Sequence, residues 1–368
     1  MSIVDLNESG LGLVRAESDI TVEWVQGILR GSGDLADDVA VSSVALERIG
    51  DGVGLLSILM KVVPTYSAPT SAPASLVVKF PTSDPTQRFT ADALALYVRE
   101  IVFYRDHAGR APFRTPRCYA QAIDTAGTDF TVVMEDVSSM RSVDQLEGIT
   151  LDEAKVLLDK LADFHALWWE NPRLDELAGI FQPLSNPTYH AVLPMLWQGG
   201  WPVVMEHAPH IVPPSVAPIG DMWPTKVNWM LDTLMSPRTM CHGDYRADNI
   251  LFDGDDPVVL DFQIVGHGCG IYDVGYLISQ SLPTDVRRGH DRELVDHWCA
   301  RLESNGITVD RDEMWRQYRV VVVFCTTYSV TLWPSYTTMN ERGQSLLRDM
   351  LERSLLAVAD VDGLAALG

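Results

Sequence analysis

Cysteine is scarce and scattered. The five residues Cys118, Cys241, Cys269, Cys299 and Cys325 are odd in number and form no Cys-x-x-Cys pair, which argues against a disulfide framework or a zinc site. Cys241 reads as a buried apolar thiol at a strand end. Positive charge is equally short: 28 Lys and Arg face 50 Asp and Glu, for a formal charge of -22 and a pI near 4.6. That balance speaks against nucleic-acid binding or anionic-membrane binding through phosphate neutralisation. Long hydrophobic runs are missing too. The longest, residues 320–333, is broken by Thr326, Thr327, Ser329 and Thr331, and Met1 to Asp5 lacks the basic-then-apolar pattern of a signal peptide. No membrane insertion and a cytoplasmic location are expected. There is no internal repeat, and no feature sets an oligomeric state.

What is present suffices for two lobes: 368 residues can bury a sizeable core. The spacing predicts a helix over 21–30 with Thr21 as its cap, then strands at 41–49, 55–63 and 75–80, with an exposed hairpin loop at 65–74. A single helix is expected over 90–107, placing Ala93, Tyr97, Glu100 and Tyr104 on one face. Phe130 to Met134 forms a further strand, and the lobes should join just after it, giving an N-terminal lobe over 1–137 and a C-terminal lobe over 138–368. The second lobe reads as mainly helical. Its scaffold helix, 152–169, buries Leu157, Leu158, Leu161, Phe164, His165 and Trp168. Residues 171–238 hold 11 of the chain's 21 prolines, so long uniform helices are not expected there. The same stretch carries Trp197, Trp201, Trp223 and Trp229, either as core or as the wall of an amphipathic pocket.

The chemistry is concentrated in His242-Gly243-Asp244-Tyr245-Arg246-Ala247-Asp248-Asn249 and in Asp261-Phe262-Gln263. Residues 250–252 and 258–261 read as two short strands around a turn at 253–257. Pairing Phe252 with Val258 would set Asn249 opposite Asp261, bringing an amide oxygen and a carboxylate together. Two such hard oxygens suit Mg²⁺, which keeps most of its waters and takes the rest from phosphates. Asp244, in the loop before the first strand, could accept a hydrogen bond from a substrate hydroxyl. Upstream, Gly50-Asp51-Gly52-Val53-Gly54 is a turn between two strands; it is either a plain hairpin turn or one that lets backbone amides approach phosphates. Lys79, in an otherwise apolar strand, needs an anion or a route to water.

Together these motifs resemble the catalytic and metal-binding loops of protein-kinase-like phosphotransferases. His-Gly-Asp and Asp-Phe-Gln are similar to the wording of the aminoglycoside phosphotransferase and choline kinase branch, especially its ecdysteroid kinase-like members. The resemblance implies an α+β bilobal fold with an N-terminal antiparallel sheet and helix, and the cofactors ATP and Mg²⁺. Gly50, Gly52 and Gly54 would then cover the phosphates. Lys79 would hold the α and β phosphates, oriented by Glu100, with Asp92 and Asp106 as weaker candidates near the same helix's ends. Glu135 and Val137 would meet adenine through a carbonyl and an amide, Asn249 and Asp261 would bind the metal, and Asp244 would act as the base. Asp273 would cap a helix and tie down the catalytic loop, with His242 bracing it.

The expected function is transfer of the ATP γ-phosphoryl group to a hydroxyl of a small molecule. The alternative is a catalytically silent nucleotide-binding module, but that would require one of Lys79, Asp244, Asn249 or Asp261 to be missing. A protein kinase would need an activation segment with an Ala-Pro-Glu-type ending, whereas residues 266–276 run almost directly into a helix. The acid surplus suits a cationic acceptor; the tryptophan-rich stretch suits an amphipathic one.

Overall fold

The computed structural model of the chain describes residues 3–50 and 56–368. It divides into two units. The first joins Met1–Arg141 with Val258–Ile264, and the second joins Ser142–Pro257 with Val265–Gly368.

In the first unit, β1 (Val4–Asp5), α1 (Val22–Gly31), β2 (Val41–Ile49), β3 (Ser57–Tyr66), β4 (Leu76–Pro81), α2 (Pro85–Ala93), α3 (Leu96–Asp106), β5 (Cys118–Ile123) and β6 (Phe130–Glu135) follow one another. Among the described residues the strands form one sheet in the order β1-β5-β6-β4-β3-β2. All neighbours are antiparallel except β1 with β5. Thr21 caps α1 by accepting the amide of Trp24, a device contributing about 1 kcal/mol. Behind it, Trp24, Val25, Ile28 and Leu29 fall on one helical face and enter the core of the sheet. β3 runs three residues beyond its expected end, and the Tyr66 hydroxyl then closes the following loop by donating to the Pro73 carbonyl at 2.6 Å.

The single helix expected over 90–107 is in fact two. Ala95 takes a left-handed φ of 52°, which for alanine costs about 1 kcal/mol. Nothing in the local sequence announces the break. The buried Arg99 holds it by donating to the Leu94 carbonyl at 2.9 Å. Ala93 consequently belongs to another helix and is exposed, while Tyr97, Glu100 and Tyr104 share the buried face of α3.

The second unit is mainly helical. After the short β7 (Arg141–Ser142) come α4 (Leu151–Trp168), α5 (Arg173–Leu177), α6 (Pro187–His207) and α7 (Ile219–Thr233), then β8 (Thr239–Cys241), β9 (Ile250–Asp253), β10 (Asp256–Val259), whose last two residues are assigned to the first unit, and β11 (Gly266–Gly268). The helices α8 (Ile271–Ser281), α9 (Thr284–Arg287), α10 (Asp291–Ser304), α11 (Arg311–Leu332) and α12 (Glu341–Asp360) complete it. A Thr150–Glu153 capping box starts α4, and the six expected apolar positions are all buried.

Contrary to expectation, α6 is a uniform helix of 21 residues with Pro194 and Pro202 inside it; α7 also contains Pro224. Each proline removes one rung of the ladder. Tertiary packing offsets the loss: Trp197 stacks on Trp223 with centroids 4.5 Å apart and on Trp201 at 5.4 Å. The indole of Trp197 donates to the Gly220 carbonyl at 3.1 Å, and that of Trp223 to the Val323 carbonyl at 3.3 Å. Trp197 and Trp223 are thus core. The apolar run at 320–333 lies largely within α11, where Thr326 and Thr327 return their hydroxyls to the Val323 and Phe324 carbonyls. Among the described residues no helix is long and apolar enough to cross a membrane.

Candidate active site

The first unit assembles a buried charge cluster on a central strand. Lys79 sits in β4, between Leu59 of β3 and Val132 of β6, so it is no edge lysine. Its Nζ lies 2.8 Å from Glu100 Oε1 and 3.4 Å from Asp261 Oδ1. Burial alone would discharge the ammonium, but the two carboxylates outweigh it and raise its pKa. Glu100 shares that single cation with Asp261. Burial is the larger effect on it, opposed by Lys79 and reinforced by Asp261, and pushes its pKa up to about 7. Of the alternative partners, Asp92 is exposed and Asp106 pairs with Arg105.

Asp261 owes its place to Phe262. That ring stacks on Phe103 at 3.7 Å, meets Tyr104 edge-on at 5.8 Å and lies 6.2 Å from Phe113. The next residue, Gln263, donates to Ser57 Oγ at 3.0 Å. Asp261 itself has a left-handed φ of 59°, a conformation that aspartate tolerates better than most residues. The expected second strand over 258–261 is cut short. The second strand ends at Val259, and Asp261 lies beyond it.

Gly50 has a φ of 73°, with the Leu59 side chain 3.4 Å from where a Cβ would stand, so the turn after β2 needs glycine there. Gly52 and Gly54 lie outside the described residues. At the end of β6, Glu135 takes Arg114 Nη2 at 2.5 Å and the Arg117 amide at 3.2 Å on its carboxylate. Its own amide donates to the Arg117 carbonyl, and the Val137 carbonyl accepts from Met140. These bonds use the backbone groups that an adenine contact through the Glu135 carbonyl and the Val137 amide would not need.

In the second unit, residues 242–249 run from β8 to β9 as a loop pinned from several sides. Asp273, in the first turn of α8, accepts the amides of His242 at 2.7 Å and Gly243 at 2.9 Å. Gly243 takes a φ of 90°, a turn that favours glycine. His165 of α4 lies 3.2 Å from the same Asp273 carboxylate and accepts the Trp298 indole on its other nitrogen, which makes it a neutral ring donating to Asp273. His242 Nδ1 accepts the Asp244 amide at 3.2 Å, the bracing role expected of it. Further along, Ser281 Oγ takes the Ala247 amide at 2.9 Å. His165, Cys241 and Asp273 bring their ligand atoms within 4.8 Å, yet the histidine and the carboxylate are already spent on these bonds. Burial also holds the Cys241 thiol well above its ordinary pKa, so the trio is structural.

Asp244 is half-buried and is held by two donors. Arg246 Nε reaches its Oδ1 at 3.0 Å and Asn249 Nδ2 reaches its Oδ2 at 2.8 Å. Burial opposes the charged form, but Arg246, His242 and the Asn249 hydrogen bond outweigh it and hold the carboxyl below its ordinary pKa. Arg246 also spans to Asp248 at 2.8 Å, so its charge is engaged within the loop. Asn249 Nδ2 donates both to Asp244 Oδ2 and to the Asp244 carbonyl, at 2.9 Å. Both partners are acceptors, which fixes the amide orientation and leaves Asn249 Oδ1 as the outward oxygen.

A model of the phosphotransferase enzyme family matches residues 64–318. The chain belongs to that family. No curated protein sequence matches this phosphotransferase, but solved structures share its fold. Choline kinase from Cryptosporidium parvum Iowa II superposes with a TM-score of 0.59 at 12% identity, covering 94% of this chain and 97% of its own. The GDP complex of wild-type aminoglycoside 2'-phosphotransferase-IIIa gives 0.53 at 16% identity, covering 91% and 98%. The fold is that of the protein-kinase-like superfamily, with an antiparallel-dominated N-terminal sheet and a helical C-terminal part, as the resemblance implied.

Among the expected site residues, the phosphotransferase brings Lys79, Glu100 and Asp261 together in one unit and Asp244 with Asn249 in the other. Asn249 and Asp261 each present a hard oxygen of the kind Mg²⁺ takes. Sequence reasoning missed the part played by Ser281, at the end of α8, whose hydroxyl oxygen takes the Ala247 amide of the loop.

Proposed function

We propose that this phosphotransferase moves the γ-phosphoryl group of ATP to a hydroxyl group of a small molecule. The observation that carries the reading is Lys79, an ammonium on a central strand whose charge is maintained by Glu100 and Asp261. Such a cation, held rigidly and raised in pKa, suits the α and β phosphates of a nucleotide. Asn249 and Asp261 are assigned to Mg²⁺, which would neutralise charge on the phosphates. Gly50, with Gly52 and Gly54, is assigned to the phosphate-covering turn, and Glu135 with Val137 to adenine.

Asp244 accepts the hydrogen bond of the acceptor hydroxyl and then its proton, as the new O–P bond forms and the bond from Pγ to the β-phosphate bridging oxygen breaks. ADP leaves with that electron pair, and the proton passes from Asp244 to solvent. Because the carboxyl is held below its ordinary pKa, Asp244 is a weak base. It chiefly orients the hydroxyl, which fits a loose transition state in which proton transfer is late. Positioning and charge neutralisation supply most of the rate.

The test is a thermal-shift titration with Mg-ATP and Mg-GTP, followed by a nucleotide-consumption screen over aminoglycosides, macrolides, sterols and choline. Stabilisation by nucleotide with turnover on one acceptor class supports the reading. Stabilisation without turnover on any of them would make the chain a nucleotide-binding module instead.

A further inference from the structure

Asn249, assigned above to Mg²⁺, closes a single 3-10 turn, Ala247–Asn249. So short a turn leaves its leading amides without partners of its own, and Arg246, in the capping position, makes no side-chain bond to them. Both amides are met from outside the loop. Ser281 Oγ, at the end of α8, takes that of Ala247 at 2.9 Å, and Gln145 Oε1, from the segment between β7 and α4, takes that of Asp248 at 3.3 Å. We propose that Gln145 is a positioning residue for Asn249, its side-chain oxygen holding the turn, with Ser281 beside it, so that Asn249 Oδ1 keeps its outward direction. The inference rests on the phosphoryl-transfer reading and on Asn249 as a ligand of Mg²⁺.

Gln145 is built as a brace. It is fully buried, and both ends of its amide are engaged: Nε2 donates to the Gln280 carbonyl of α8 at 2.6 Å while Oε1 accepts from Asp248. The amide cannot turn over without losing both bonds. Its backbone is fixed as well. Arg353 of α12 donates Nη1 to the Gln145 carbonyl at 2.8 Å and to the Gln280 carbonyl at 3.1 Å, and Nη2 to the Leu146 carbonyl at 2.7 Å. One guanidinium thus ties Gln145 to the closing turn of α8, where carbonyls lack partners within the helix and a cation is favoured. Helix α8 serves the loop at both ends: Asp273 in its first turn accepts the amides of His242 and Gly243, and Ser281 in its last accepts that of Ala247. Gln145 extends this row of acceptors to the amide directly before Asn249. Asn249 Nδ2 is bonded to Asp244 Oδ2 at 2.8 Å, so a rotation of the turn would break that bond and re-aim Oδ1 together. Outer partners that fix the direction of a ligand govern metal affinity in this way.

The test reads metal affinity without turnover. The wild-type chain, Gln145→Met, Ser281→Ala, Asn249→Ala and Gly200→Ala are held at saturating ADP or GDP, whichever stabilises the wild type, and the thermal midpoint is followed against Mg²⁺ concentration. Methionine keeps the length of the Gln145 side chain and loses both bonds. Its Mg²⁺ half-saturation should rise about tenfold, with nucleotide stabilisation in EDTA unchanged and with faster deuterium exchange at the Asp248 amide. Gly200→Ala, strained against the Val330 backbone, should lose stability yet keep the wild-type half-saturation. A wild-type half-saturation in Gln145→Met overturns the proposal, and so does an equal rise in Gly200→Ala, because the effect would then follow from lowered stability alone. If Gln145→Met does not fold, Ser281→Ala decides: freeing the neighbouring amide of the same turn should raise the half-saturation, and a wild-type value overturns the proposal. Asn249→Ala tests the assignment beneath it. If that variant takes up Mg²⁺ as the wild type does, Asn249 is no ligand, and its place in the phosphoryl-transfer reading fails together with the brace.

Discussion

Two carboxylates of this phosphotransferase are pulled in opposite directions by their neighbours. Asp244 is held below its ordinary pKa by Arg246 and hydrogen bonds, whereas Glu100 is pushed up to about 7 by burial and by sharing Lys79 with Asp261. Asp244→Ala should lower turnover by about 10³-fold, within the range for a positioned proton acceptor, while the Mg-ATP thermal shift persists. The acid limb of the activity profile should belong to Glu100. As pH falls through about 7, its protonation weakens the hold on Lys79 and kcat/KM for ATP should drop, and Glu100→Gln should be low and flat across that range. Stability has the opposite sign. A carboxyl whose folded pKa is raised contributes fully below its unfolded value and loses that contribution as pH rises toward 7. Chemical denaturation of the nucleotide-free protein should therefore show stability declining between about pH 4.5 and 7, a slope smaller in Glu100→Gln.

Whether an element could be read beforehand depended on whether its cause was local. Helix α4 carries its capping box and apolar stripe in its own sequence, and α1 its threonine cap, so both were legible with nearly correct ends. The Asp244 and Lys79 motifs were legible for a similar reason: a charged group in an apolar setting needs a partner, and for Lys79 that partner is Glu100 on α3. The break at Ala95 was not, since the group that sustains it is Arg99 satisfying a carbonyl that only the break exposes. Nor was α6, whose prolines argue against a helix that Trp197 and Trp223 nevertheless maintain from outside. The second strand stops short of its expected end because Asp261 is placed by the burial of Phe262 and not by strand pairing. Element packing yields its own prediction. A Cβ on Gly200 of α6 would lie 2.1 Å from the Val330 carbonyl of α11, and backbone gives way poorly. Gly200→Ala should cost about 2 kcal/mol or more despite its better helix propensity, measurable as a lowered denaturant midpoint.

For the whole molecule, the formal charge of -22 opposes the approach of an anionic nucleotide and favours that of a cation. Raising ionic strength from about 0.02 to 0.2 M should screen that field. KM for Mg-ATP should fall, and KM for a cationic acceptor, should one be turned over, should rise; an ATP dependence running the other way would place the acidic surface away from the nucleotide's path. The two units also depend on the chain in different ways. The segment Val258–Ile264 belongs with the first unit although it is flanked by the second, so neither unit is a continuous stretch that could be excised whole.

The tie between Asp273 and the loop has a consequence for the molecule's internal clock. Surface loops usually give up their amide protons to solvent first, yet the amides of His242 and Gly243 are bonded to a carboxylate buried in the opening turn of α8. Their deuterium uptake should be as slow as that of the helix, because neither proton can leave until that turn unwinds.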